Sequence, residues 1–167
     1  MKQSDFYRVG AEKRQDQVIK IGVKNYLLIY GYGTDEDGNG YNFRKNYDHK
    51  PTKTELKEDI TQLIDGTTDS NILQGFRWNE VNVYLSTENQ FNFKAAYDLA
   101  VQSKGAMLPV TFKLGEDDGC NAVYHTFETM DDFTDFYSKA IQWVNGCIAD
   151  GWKEKDSVDY EKLFGDE

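Results

Sequence analysis

The sequence predicts an α+β fold: an N-terminal β-hairpin arm, followed by a compact body of two similar strand–helix units, short antiparallel strands and a long C-terminal amphipathic helix. Three observations predict it. Residues 26–30 are apolar at every position and precede a dense turn signal over residues 33–40. Residues 83–101 and 123–141 follow nearly the same pattern, in which a strand leads into a capped helix. Apolar side chains then recur every three or four residues from Phe133 to Ile148.

The arm is a predicted hairpin with strands near 18–32 and 40–47. Ile19, Ile21 and Val23 alternate with polar residues, which indicates one buried face. The continuous run Tyr26–Tyr30 indicates a strand that is covered on both faces. Residues 1–17 are polar and fit a short helix or a loose arm equally well.

The first helix is predicted to begin at Pro51–Thr52, where Thr52 and Glu55 form a capping-box pattern. Gly66 is its predicted stop, and Ile72 and Leu73 would belong to a second short helical piece. The best boundary is Lys50–Pro51, which divides an arm (1–50) from an α+β body (51–167).

Within the body, the two strand–helix units share their order of elements. Thr87 with Gln90 is the predicted cap of the first unit's helix, and Gly105 its predicted end. Thr129 caps the last helix, whose end is marked by Trp152.

The net charge limits which classes of partner we expect, and the cysteine content indicates the compartment in which the protein is made. The chain has 167 residues with 29 acidic and 19 basic side chains, a formal charge of −10. Phosphate backbones and anionic membrane surfaces repel such a chain, so we expect neither nucleic acid nor membrane as a partner. Cys120 and Cys147 are the two cysteines, and we expect both to be reduced thiols in a protein made in the cytoplasm.

One segment partly matches a calcium-binding loop. Asp35, Asp37 and Asn39 alternate before Gly40, as the first oxygen ligands of an EF-hand do. The position that requires a bidentate Glu holds Asn46, and the flanking patterns are strands, not helices. A solvated hairpin turn is the better interpretation.

No residue pattern predicts catalysis, a cofactor or a metal. His49 and His125 have no Cys or carboxylate at ligand spacing, and no phosphate-binding loop is present. The acidic pairs 117–118 and 131–132 fall at a turn and at a helix start, where acids are favoured. The sequence therefore predicts a non-enzyme with no cofactor, no metal and no small-molecule substrate.

A two-stranded hairpin with an apolar run must be covered, either by the rest of the chain or by another subunit. We expect a subunit interface, in which the hairpin adds strands to a neighbouring subunit. Trp78 lies beside a turn and is a candidate for recognition, although core packing is the stronger alternative for an aromatic ring. The candidate interface residues are Tyr26, Leu28, Tyr30, Tyr32, Tyr41, Phe43 and Trp78.

Residues of about 40–160 resemble a domain of unknown function found in tail-fibre and tail-associated proteins of tailed bacteriophages and prophages, in the version of phages of Bacteroides-type gut bacteria. The segments that carry the resemblance are Tyr41–Arg44, Lys50–Thr52, Gly75–Trp78, Leu85–Ala100, Leu108–Lys113, Tyr124–Phe127 and Gly151–Lys153.

The resemblance implies a structural component of a bacteriophage tail, baseplate or fibre-attachment region, made in the host cytoplasm and located in the virion. It would act through assembly with other phage structural proteins. We also expect homo-oligomerisation, because exposed apolar strand surface needs a partner. Two alternatives stay open: a tail or fibre assembly chaperone outside the virion, favoured by the negative charge if its client is basic, and a glycan-cleaving tail accessory using paired acids.

Overall fold

The computed structural model describes residues 5–165, which form an α+β fold of three α-helices and two four-stranded antiparallel sheets. A short 3-10 helix, Lys162–Phe164, follows the last α-helix. The strands and helices in chain order are β1 Tyr7–Gly10, β2 Gln17–Lys20, β3 Tyr26–Thr34, β4 Gly40–Tyr47, α1 Lys53–Gln74, β5 Arg77–Trp78, β6 Val81–Val83, α2 Thr87–Gln102, β7 Val110–Glu116, β8 Ala122–Phe127 and α3 Met130–Ser157.

The chain divides into two compact units. Within the described residues, the first comprises 5–65 and 153–165, and the second comprises 66–152. The boundary expected at Lys50–Pro51 falls inside the first unit, because the first half of α1 supplies apolar side chains to the core of the hairpin. The division also cuts through α1 and α3, each of which continues from one unit into the other.

The sheet of the first unit has the order β1-β4-β3-β2, with the hairpin β3–β4 at its centre. The single strand predicted near 18–32 is wrong: it is two strands, β2 and β3, joined by a turn that exposes Ile21 and Val23. Leu28 and Tyr30 lie on the face that packs against Leu56 and Ile60 of α1. Because successive side chains of a strand alternate between faces, Leu27 and Ile29 lie on the other face. All four strand residues are buried, as the continuous apolar run predicts.

Strand β1 completes this sheet, although its residues were predicted to form either a short helix or a loose arm. Tyr7–Gly10 pairs antiparallel with β4, in the register Tyr7↔Arg44 to Gly10↔Tyr41. Arg8 lies over the ring of Tyr41, with 4.5 Å between the guanidinium carbon and the ring centroid. The strand therefore owes its conformation to a non-local partner.

The two long hairpins, β3–β4 and β7–β8, turn in the same way. The Asp35 carboxylate accepts hydrogen bonds from the backbone N–H groups of Asp37 and Asn39, at 3.0 and 2.8 Å. Asp117 accepts the equivalent bonds from Gly119 and Asn121, both at 2.9 Å. The segment 35–39 is therefore the predicted hairpin turn, in which Asp35 satisfies backbone donors.

Helix α1 begins as predicted and ends later than predicted. The Thr52 backbone N–H donates to Glu55 at 2.8 Å, and the Glu55 N–H donates to Thr52 Oγ1 at 3.2 Å, which completes the capping box. Gly66 does not stop the helix, which runs on to Gln74 and includes the predicted second piece. A single glycine costs a helix only about 1 kcal/mol relative to alanine, which tertiary packing can outweigh.

The second unit packs one face of the sheet β5-β6-β7-β8 against α2 and α3. Its core is an array of rings in which Phe127 stacks on Phe133 with centroids 4.6 Å apart. Phe136 contacts Phe93 and Trp78, each at 5.1 Å between centroids. Edge-to-face and offset ring contacts of this kind add to the stability from buried area.

The N-cap of α3 is the predicted residue, whereas the N-cap of α2 is not Thr87. Ser86, one residue before the predicted Thr87, is the N-cap of α2 and accepts from the Asn89 N–H at 3.2 Å. Gly105 follows the helix with φ +84°, a left-handed conformation that glycine adopts without strain. Thr129 Oγ1 accepts from the Asp132 N–H at 3.2 Å, as predicted, and α3 continues past Trp152 to Ser157.

Candidate functional site

The structure places the seven predicted interface residues in different environments. Leu28, Tyr30 and Trp78 are buried in the chain's own cores, with 0%, 3% and 4% of their surface exposed. Tyr32 is 40% exposed. The other three, Tyr26, Tyr41 and Phe43, are half-buried. The buried three present almost no surface to another subunit, so any contact at this sheet would involve Tyr32 and the edges of the half-buried rings.

The topology also corrects the way in which the Tyr26–Tyr30 run was expected to act. Strand β3 pairs with β2 on one side and with β4 on the other, so its backbone already has a partner strand at both edges. A neighbouring subunit cannot add a strand to it. Its apolar faces result from its central place in the sheet.

One polar cluster in the first unit joins the loop before β2 to the end of α3. Tyr30 OH donates to Glu154 Oε1 at 2.7 Å, and the Arg14 guanidinium pairs with both Glu154 and Asp16. Burial and the hydrogen bond to Glu154 raise the pKa of Tyr30. The hydrogen bond from Arg14 keeps the pKa of Glu154 below its ordinary value despite partial burial. Glu154 is therefore a charged anchor that holds three chain segments together.

A second cluster borders a cavity of 630 Å³ beside the end of β4. Lys45 Nζ lies 2.7 Å from Asp59 Oδ1, and Tyr47 OH donates to Asp59 Oδ2 at 2.6 Å. Burial, followed by the hydrogen bond to Asp59, raises the pKa of Tyr47. Both carboxylate oxygens of Asp59 are therefore occupied by groups of the sheet that α1 covers.

His49 stands at the rim of the same cavity, between two carboxylates. Its Nδ1 lies 2.7 Å from Asp48 and its Nε2 lies 2.9 Å from Glu55. These two hydrogen bonds raise the pKa of His49. Hydrogen bonds from the backbone and hydroxyl of Thr52, and then from His49, lower the pKa of Glu55 to about 2. The imidazole therefore extends the capping box of α1.

In the second unit, Trp78 and His125 pack edge to face with ring centroids 4.9 Å apart. Trp78 Nε1 donates to Asp135 at 2.9 Å, and His125 Nε2 lies 2.7 Å from Asp132. Asp132 lies in the first turn of α3, where negative charge is favoured, and Asp135 lies in the second turn. These contacts fasten α3 to the sheet, and they place Trp78 in the core, not at a recognition surface.

A cavity of 750 Å³ lies beside the β7–β8 turn of the second unit. Two of its three acidic residues are engaged in local structure: Asp117 accepts the turn's N–H groups, and Asp118 pairs with Arg77 at 2.9 Å, whereas Glu116 is exposed. The cavity also exposes Tyr84 and Cys120. Asp117 and Asp118 thus lie side by side as turn residues whose oxygens face backbone donors and an arginine.

Sequence reasoning missed the cluster around Glu154, because Arg14 and Glu154 are 140 residues apart and no local pattern links them. The Lys45–Asp59 and Trp78–Asp135 pairs were missed for the same reason. Among residues 5–165, no three His, Cys, Asp or Glu side chains gather as metal ligands would. No helix in that range has the length and apolar character needed to cross a membrane.

Comparison with known proteins gives no relative. No family model matches the chain, and neither a curated protein nor a solved structure is significantly similar to it.

Proposed function

We propose that this chain is a structural component of a bacteriophage tail, baseplate or fibre-attachment region, and that it acts by protein–protein assembly in the virion. The proposal joins the sequence resemblance described above to one observation in the structure. That observation is the set of large rings left on the surface of the second unit.

Four aromatic side chains of the second unit carry this argument. Phe91 is 70% exposed, Tyr124 67% and Trp152 64%, and Tyr84 is nearly half exposed. Single exposed apolar residues are common on monomers, but large rings are enriched in protein interfaces because they bury much area at small entropic cost. A chain with 24 aromatic residues that leaves these four in water suits an assembly role.

The polar clusters support the same proposal. The three described above use their carboxylates to fasten one element to another: Glu154 to the loop before β2, Asp59 to β4, and Asp135 to β5. Ionisable groups that perform catalysis need a reacting atom within reach, whereas these are occupied by structural partners.

The body that we propose for assembly is built from two similar strand–helix units, residues 83–101 and 123–141, and it forms homo-oligomers. A repeated unit suits assembly because each copy offers a related surface to its neighbours. The residues of the first sheet that could contribute are Tyr32 and the exposed edges of Tyr26, Tyr41 and Phe43.

Quantitative mass spectrometry of purified particles of the encoding phage or prophage tests the virion assignment. We expect the chain in many copies per particle, in a fixed ratio to the known tail proteins. A chain that is abundant in infected cells and missing from mature particles would reject the virion role and favour the assembly chaperone. The charge of −10, which suits a basic client, is the observation that keeps this second candidate.

Light scattering tests homo-oligomerisation through the first sheet. Removing residues 1–48 would strip the sheet from the apolar face of α1, so a point change is the sharper test. We expect Tyr32→Ser to lower the solution mass, because it removes the most exposed of the seven candidate side chains. Leu99→Ser, which changes a comparably exposed apolar side chain of α2 that is not a candidate contact, is the matched control. An unchanged mass for Tyr32→Ser would place the contact elsewhere.

A glycan-cleaving role predicts that paired acids are essential. Replacing Asp117 and Asp118 together by alanine should disturb the turn and leave infectivity intact. Loss of infectivity with a normally folded chain would favour the enzyme.

A further inference from the structure

Strand β8, Ala122–Phe127, is the outer strand of the second sheet. It pairs with β7 on one side, in register from Val110↔Phe127 to Glu116↔Ala122. Within residues 5–165, its backbone makes no hydrogen bond outside that ladder. In an antiparallel pair every second residue directs its N–H and C=O away from the partner, so about three residues of β8 present free backbone groups.

The other three sheet edges carry the usual protection against strand addition. Strands β1 and β2 have four residues each and include Arg8 and Lys20, respectively. Strand β5 has two residues. Short edge strands and charged side chains on the edge both discourage pairing with another chain.

Strand β8 has neither form of protection. Its six residues include no acidic or basic side chain apart from His125, no proline and no glycine, although 29% of the whole chain is charged. Valine, tyrosine, threonine and phenylalanine favour the strand conformation. Tyr124 projects from its middle into solvent and would lie beside any strand that is added.

The charges at the two ends of β8 indicate what this edge can accept. Glu116 is opposite Ala122 at one end, next to Asp117. At the other end Glu128 follows Phe127, with Asp131 beyond it in the first turn of α3. An antiparallel second copy would bring the acids at one end of each strand against those at the other end of its partner, which is repulsive.

We propose that β8 is the docking edge for an extended segment of a partner protein, uncharged in its centre and flanked by lysine or arginine, which adds to the sheet as a fifth strand. Main-chain hydrogen bonds supply the affinity, and the basic flanks meet the acids at both ends of β8. The inference rests on the proposed assembly function, since it names the kind of partner that this surface takes.

The direct test uses the full chain and a fluorescent peptide, Lys-Lys-Thr-Val-Thr-Val-Thr-Lys-Lys, with binding followed by anisotropy. We expect saturable binding, and binding at least about tenfold weaker when glutamate replaces the four lysines. Equal binding of the two peptides, or no binding of the lysine-flanked one, overturns the inference.

Two peptides that are N-methylated on alternate residues separate strand addition from simple charge attraction. An added strand uses the N–H groups of every second residue, so one methylated peptide should lose at least about tenfold in affinity and the other should keep most of it. Loss with both peptides, or with neither, overturns the inference.

Two further measurements locate the bound peptide. Hydrogen exchange should show slower exchange of amides in residues 122–127 when peptide is bound, and protection elsewhere alone would overturn the assignment. Replacing Glu116 and Glu128 together by glutamine should weaken binding about threefold or more, whereas Glu36→Gln with Glu58→Gln, also exposed, should leave it unchanged. Concentration-dependent protection of 122–127 without peptide would make a second copy the occupant and overturn the inference.

These results are independent of the copy number in particles. A chain that is abundant in virions and does not bind the peptide keeps the proposed function and loses this inference. A chain that binds the peptide and is absent from particles keeps β8 as a docking edge and loses the proposed virion role.

Discussion

The two hairpin turns differ at one residue in a way that bears on stability. Gly38 and Cys120 occupy equivalent places, three residues after the aspartate that organises each turn, and both have left-handed backbone angles, φ +82° and +59°. Glycine adopts this conformation freely, whereas a side chain there costs about 1–2 kcal/mol. The second turn is therefore strained at an exposed thiol.

We predict that Cys120→Gly raises the free energy of unfolding of the second unit by about 0.5–1 kcal/mol, the strain relieved less the extra entropy of glycine in the unfolded chain. Urea denaturation followed by tryptophan fluorescence is a suitable measurement, because all three tryptophans lie in residues 66–152. Cys120→Ala keeps the strain without the thiol and should change stability little. A destabilised Cys120→Gly would contradict the argument.

Glu55 gives the cap of α1 a predictable pH dependence. Its folded pKa, about 2, lies below the ordinary value of 4.5. A carboxyl with a lowered folded pKa stabilises the fold above its unfolded pKa, and that contribution is lost as the pH falls from about 4.5 to 2. Thermal melts by circular dichroism should therefore fall less steeply over this range for Glu55→Gln than for the natural chain. Asp48 and Asp35 also have lowered pKa values, so some slope should remain in the variant; equal slopes would refute the prediction.

At the scale of elements, local chemistry decided what could be predicted. The β3–β4 turn, the capping residues Thr52 and Thr129 and the apolar stripe of α3 all depend on neighbours within a few residues, and the sequence shows them. Strand β1 depends on its pairing with β4, and the continuation of α1 past Gly66 depends on packing. Neither leaves a mark in the local pattern.

The same limit applies to the candidate interface. The apolar run of β3 predicts the burial of both faces, and the strands and helix that cover it belong to the same chain, which is the first of the two alternatives. The pattern of residues 123–141 predicts that β8 is a strand. That β8 is the outer strand of its sheet can be known only from the strand order in the structure.

Two glycines of α3 offer a matched pair of tests for helix packing. A Cβ on Gly146 would meet nothing within 4 Å, whereas one on Gly151 would lie 2.5 Å from Thr68 Oγ1. We predict that Gly146→Ala raises the free energy of unfolding by up to about 1 kcal/mol through helix propensity. Gly151→Ala should lower it, because the same gain is opposed by the contact with Thr68. Urea denaturation measures both, and a stabilised Gly151→Ala would contradict the packing seen at Thr68.

At the scale of the whole molecule, the distribution of apolar contacts divides the protein into two separate cores. The first gathers Leu28 and Tyr30 around α1 residues such as Ile60, and the second gathers the rings around Phe136. Helices α1 and α3 each have residues in both units, so these two helices are shared although the two cores are separate. If the separate cores dominate, a mutation in one core destabilises mainly its own unit. If the continuous helices dominate, it destabilises both units.

We predict that a cavity in one core loosens mainly its own unit. Ile60 and Phe136 are both fully buried, and truncation of such side chains typically costs about 2–5 kcal/mol. In native-state hydrogen exchange, Ile60→Ala should lower the opening free energy of amides in Tyr26–Thr34 more than in Val110–Glu116, and Phe136→Ala should do the opposite. Equal losses in both strands would mean that the continuous helices make the two cores unfold as one, and that the division of the chain has no energetic counterpart.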